Sequence, residues 1–145
     1  MEMTNQVLDG ITIALHGKFG DTFSYYVENI EQHLDKPCFV VKALNPLVKA
    51  KNQIRYHWTI PVVVHFFTDK EVTEEAKKDN YNIAGQLLEA LEYITVDGNL
   101  TRGEDIEFTV VDDVLQFFIT YNFFTFKEKE TIYMENGTVN GVPIP

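Results

Sequence analysis

Gln53-Ile54-Arg55-Tyr56-His57-Trp58-Thr59-Ile60-Pro61-Val62-Val63-Val64-His65-Phe66-Phe67-Thr68 is the stretch that decides the fold. It is dense in β-branched and aromatic residues and reads as one long strand. Pro61 has no N–H for a hydrogen-bond ladder, so it predicts a bulge or an edge position. Upstream, Pro37 opens an extended apolar run, Cys38 to Leu44, which Asn45-Pro46 breaks or bulges. The strand resumes over Leu47 to Ala50, and Lys51-Asn52 turns the chain back. The pair forms a hairpin longer than a small core requires, so part of it extends as an arm.

Downstream, Glu71 to Tyr93 is the clearest helix. Ala76, Ile83, Ala84, Leu87, Leu88 and Leu91 form its apolar stripe. Glu71, Glu74 and Glu75 crowd its start, where the helix dipole favours acids. Asp97-Gly98-Asn99 is a turn. Asp105 to Val111 and Val114 to Phe126 form a second hairpin around Asp112-Asp113. In the last strand both faces are largely apolar, which predicts a central strand or one covered on both sides. At the N-terminal end, Val7, Leu8, Ile11 and Leu15 share one face of a helix over Asn5 to Leu15. Thr4 or Asn5 is its expected cap, and Gly17 and Gly20 its end. Thr22 to Val27 reads as an edge strand, and Ile30 to Leu34 as one helical turn.

Helices and strands come in blocks without a βαβ rhythm. This predicts an α+β fold: a mainly antiparallel β-sheet packed against two helices, with an extended β-hairpin arm. Residues 1–133 are read as a single domain. The small, turn-rich residues 134–145 are read as a flexible C-terminal tail.

The 145 residues are 45% hydrophobic, with eleven Phe and seven Tyr, enough for a core without disulfides. The formal net charge of −10 opposes phosphate backbones and argues against sequence-specific nucleic-acid binding. No apolar run is long enough to span a membrane, and no secretory leader is seen at Met1, so synthesis in the cytoplasm is expected. The charge is segregated. Lys36 to Thr68 holds Lys36, Lys42, Lys49, Lys51 and Arg55 with no Asp or Glu, while the remainder holds seven basic residues against twenty-two acidic ones. A basic arm on one subunit and an acidic face on the next would attract head to tail.

Residues for catalysis are scarce. Glycines are scattered, Ser24 is the only serine, and no CxxC or HExxH pattern occurs. His57 and His65 lie roughly 26 Å apart along a straight strand, too far to share a metal. Cys38, in its apolar run, reads as a buried thiol. Glu104, Asp105, Glu107, Asp112 and Asp113 prompt a Mg²⁺-nuclease reading, but Lys127 and Lys129 follow only after a whole further strand. No catalytic, metal or cofactor-binding residue is assigned.

The order and texture of these segments carry a resemblance. An amphipathic helix is followed by Tyr25-Tyr26, Gln32 and the run Pro37-Cys38-Phe39-Val40-Val41. A long strand with His65-Phe66-Phe67, a long helix, and a hairpin ending Phe117-Phe118-Ile119-Thr120-Tyr121-Asn122-Phe123 complete it. From Val7 to Lys127 the chain resembles the phage tail-terminator family of phages, defective prophages and phage-tail-like particles of Gram-positive bacteria. The family motif maps onto Pro37, Cys38 and Phe39, which are read as fold-determining.

The resemblance implies a structural virion protein with no cofactor and no enzymatic activity, located in the virion tail or a phage-tail-like particle. It implies a hexameric ring that caps the tail tube and stops its polymerisation, with the sheath protein as a further partner in a contractile tail. The opposite surface would serve as a collar or receive a head-completion protein, and an acidic lumen would ease DNA passage. Charge segregation and arm length, independently, nominate Lys42, Lys49, Lys51, Arg55 and Trp58 for the subunit interface. A head–tail connector or neck protein is the alternative, and a small-molecule-binding α+β domain a third reading.

Overall fold

The computed structural model describes residues 2–28, 32–71 and 73–127. The expected tail at 134–145 lies outside them, as does part of the expected turn at 30–34. Two helices cover one face of a curled, mostly antiparallel sheet, so the α+β expectation holds.

Helix α1 spans Met3–Phe19, longer at both ends than its apolar spacing indicated. Its cap is the Glu2 carboxylate, which accepts from the Thr4 N–H, and neither Thr4 nor Asn5 has that role. Gly17 continues the helix. Gly20, at φ 78°, ends it because it tolerates a backbone that other residues resist. Val7, Leu8, Ile11 and Leu15 are buried as expected.

Strand β1 (Ser24–Val27) pairs with β2 (Cys38–Ala43), and this pair is parallel. β3 (Leu47–Ala50) and β2 both pair antiparallel with β4 (Arg55–Phe67). Between β2 and β3, Leu44, Asn45 and Pro46 stand opposite only Ile60 and Pro61, so the expected bulge is there, with Asn45 at φ 48°. Pro61 stands opposite this bulge, on an inner strand and not an edge one. Its carbonyl accepts from the Leu44 N–H, so its missing N–H faces the bulge, where no regular ladder bond is lost.

Helix α2 spans Glu74–Leu91, and the Thr73 hydroxyl accepts from the Ala76 N–H as its cap. Ala76, Ile83, Ala84, Leu87 and Leu91 are buried; Asn80 joins them, whereas Leu88 is exposed. The helix stops at Leu91, and β5 (Tyr93–Val96) takes Tyr93, expected as the helix end, together with three residues that carried no expected element. Asp97 and Gly98, both at positive φ, close a two-residue hairpin to β6 (Asn99–Val111). β6 thus begins six residues before the expected Asp105. Asp112 and Asp113, also at positive φ, connect it to β7 (Val114–Phe126), whose bounds match expectation.

The strand order is β1-β2-β4-β7-β6-β5, with β3 beside β4. β7 is central, as its two apolar faces predicted, and its side chains are fully buried only on the helix side. Leu115, Phe117, Ile119 and Tyr121 are buried with the helices, while Phe118, Thr120 and Asn122 are half-buried on the other face and Phe124 is exposed there. The core joins the inward faces of α1 and α2 to Phe39, Val41, Ile60, Val62, Val64 and Phe66. At roughly 25 cal/mol per Å² of apolar burial, this cluster dominates the stability of the domain.

Candidate assembly surface

β4 and β7 pair without interruption from Arg55↔Phe126 to Phe66↔Leu115. Their far ends, with β3, run beyond the helix-covered core. The arm expected from the long hairpin is therefore present, and it has three strands, because β7 continues alongside β4. Its apolar side chains remain open: Leu47 and Val48 are exposed, as is Ile54 at the tip, and Phe126 is 73% exposed. Isolated apolar residues on a surface are ordinary, but Leu47 and Phe126 share the face of the sheet that points away from the helices.

Strand parity places the nominated residues. Lys42 lies opposite Val63 and Lys49 opposite His57, and Arg55 shares that face, which points away from the helices. Lys51 sits in the turn, its N–H donating to the Arg55 carbonyl at 3.0 Å. Trp58 lies on the other face. Its Nε1 donates to the Thr125 Oγ1 at 2.8 Å and its ring stacks on Phe123. The structure thus sets Lys49 close to Arg55 at the end of the arm, places Lys42 on the same face but roughly 26 Å further along β4, and puts Trp58 on the opposite face.

Phe124 organises the basic face. The Arg55 guanidinium lies 4.5 Å from the centre of its ring, and His57 stacks on it at 4.8 Å. A cation over an aromatic face is held by the ring quadrupole and keeps its charge for a partner. The Arg55 Nε is buried with no hydrogen-bond partner among the described residues. Behind the arm, Tyr56, Trp58 and Phe123 line one wall of an open cleft of about 980 Å³, with Leu100, Arg102 and Glu104 of β6 opposite.

The acidic residues that prompted the nuclease reading also lie on a surface. Asp112 and Asp113 do form a turn, but Glu107 lies in β6 opposite Phe118, on the same face of the sheet as Lys49. Glu104 accepts from the Asn122 amide at 3.3 Å. Between Gly103 and Phe126 there are five acidic residues and no basic one. That run is legible in the sequence, but its position at an open edge is not.

Among the described residues no three His, Cys, Asp or Glu side chains are grouped to hold a metal. Burial pushes the Cys38 thiol up to about 11, which disfavours the nucleophilic thiolate. No helix among the described residues is long and apolar enough to cross a membrane.

A family model described as phage tail terminator protein matches residues 6–133. No curated protein matches the chain. One solved structure is 12% identical, covering 84% of this chain and 96% of that chain at a TM-score of 0.39, a likeness too distant to bear on function.

Proposed function

The chain belongs to the phage tail terminator family, a family of structural, tail-associated proteins, and on that premise we propose that it forms a hexameric ring capping the tail tube. The ring ends polymerisation of the tube, and of the sheath where the tail is contractile. Its opposite surface provides the collar or receives a head-completion protein. Assembly takes place in the host cytoplasm, and residues 1–133 act as one unit with 134–145 as an appended tail.

The observation that supports this most is the arm. A single subunit does not need three strands projecting past its helices with Leu47, Phe124 and Phe126 exposed; a neighbour would bury them. Lys42, Lys49, Lys51 and Arg55 are the proposed electrostatic part of that contact, with Trp58 bracing the arm from behind. Complementary charge would set register and encounter rate more than affinity.

The test is the mass of the purified protein across concentration and salt, with and without tail tubes. A hexamer, or a monomer that becomes a hexamer on tubes, supports the reading. A monomer or dimer that ignores tubes but binds a portal complex would instead mark a head–tail connector. Reversal of both Lys49 and Arg55 to Glu is expected to impair ring assembly, and unaltered assembly would remove these residues from the interface.

A further inference from the structure

Two long runs of strand edge are open among the described residues. β3 pairs only with β4, and all four of its residues are exposed. β6 is flanked by β5 only over residues 99–102, so residues 105–111 have β7 on one side and no strand on the other. The terminal strands differ: β1 is half-buried for most of its length, and α1 crosses β5 so closely that a Cβ on Gly10 would lie 2.5 Å from the Thr95 carbonyl oxygen. An open edge presents unpaired N–H and C=O groups and is a template for another strand.

These edges carry opposite charge. β3 holds Lys49 and leads into Lys51, whereas the free run of β6 holds Asp105 and Glu107 and leads into Asp112 and Asp113. We propose that β3 of one copy pairs antiparallel with residues 105–111 of β6 in the next copy, so that the sheet continues across the subunit boundary. The proposal rests on the ring reading above and names the interface within it.

Three features agree with this pairing. The first is direction. β6 runs parallel to β4, since both are antiparallel to β7, and β3 runs opposite to β4. A rotation that keeps strand direction therefore brings β3 to β6 antiparallel.

The second is backbone orientation. The Lys51 N–H bonds inward to Arg55, so alternation points the polar groups of Val48 and Ala50 outward. On β6, the two-residue turn makes Val111↔Val114 the closing pair, which leaves Phe108 and Val110 pointing outward.

The third is selection against other pairings. β3 against β3 opposes lysines, and β6 against β6 opposes carboxylates. Only the unlike pairing is attractive, which disfavours a two-fold dimer and favours a head-to-tail chain of copies. Lys49 and Glu107 share the face away from the helices, so they would meet as a cross-strand pair. The two edges lie at opposite ends of the sheet, offset by about 20 Å along the strands. Closure into a flat ring would then tilt the strands roughly 45° from the ring axis, as closed sheets require.

The test uses two exposed substitutions, Lys49→Glu and Glu107→Lys, in the full chain, with assembly on tail tubes measured by mass. Each variant alone places like charges at every junction and is expected to assemble about tenfold less well than wild type. An equimolar mixture restores an unlike pair at every junction and is expected to recover assembly. Val48→Pro, which deletes an outward N–H without touching the β4 ladder, is expected to lower assembly while circular dichroism stays native. If both charge variants assemble normally, or if folded variants fail to complement on mixing, the strand pairing is overturned while the ring survives. If wild type never forms rings on tubes, both readings fail together.

Discussion

The Tyr121 hydroxyl donates to the carbonyl oxygen of Leu91 at 2.6 Å, tying the central strand to the last turn of α2. Tyr121 is fully buried, and burial pushes its phenol well above the usual range, so it remains a donor at any ordinary pH. Tyr121→Phe keeps the ring but orphans a buried carbonyl. It is expected to cost about 1–3 kcal/mol in chemical denaturation, with the fold retained. An unchanged midpoint would mean that water or another group satisfies Leu91.

Gly103 is the cross-strand partner of Tyr121. A Cβ there would overlap the Ile119 side chain and lie 3.2 Å from the Leu91 carbonyl oxygen. Gly103→Ala is therefore expected to destabilise by about 1–3 kcal/mol through overpacking, although alanine raises strand propensity. Pairing it with Ile119→Val, which frees space, should recover part of the loss. Simple additivity of the two costs would count against this account.

Asn45 holds the bulge that reverses the facing of β3 relative to β2. A β-branched residue resists φ 48°, so Asn45→Val is expected to cost about 1–2 kcal/mol and Asn45→Gly little. Thermal unfolding of the two variants gives the comparison. Equal stabilities would show that the left-handed geometry is not what Asn45 contributes.

Cys38 predicts a pH dependence. An unfolded thiol titrates at about 8.5, whereas burial pushes Cys38 up to about 11, with Asp35 adding to the rise and Lys36 opposing it. Below the unfolded value both states keep the proton and nothing is lost. Above it the unfolded chain releases the proton first, so stability falls as pH rises from the unfolded value through the folded one. Cys38→Ala should flatten that alkaline decline. Native Cys38 should also alkylate far more slowly at pH 8 than in denaturant; equal rates would show that the thiol is open.

The long elements were legible in the sequence because their patterns are local. The apolar stripe of α2, the β-branched run of β4 and the two apolar faces of β7 each follow from spacing within one segment. Asn45-Pro46 and Asp112-Asp113 carried their own turn chemistry. β5 was not legible. Tyr93 to Val96 lies directly after a helix and before a turn, too short to show a period, and it becomes a strand only because β6 pairs with it.

By itself the sequence determined the α+β class, the family resemblance, the absence of acids from Lys36 to Thr68 and the arm as a long hairpin. Each is a property of neighbouring residues. Only the tertiary structure decided the parallel β1–β2 pair, the third strand of the arm, and the placement of Lys49 and Glu107 on one face at opposite free edges. Those depend on strand order, which is settled by contacts between residues far apart in the chain. A strand's composition states that it will pair, but the packing of the whole sheet states which of its edges stays open.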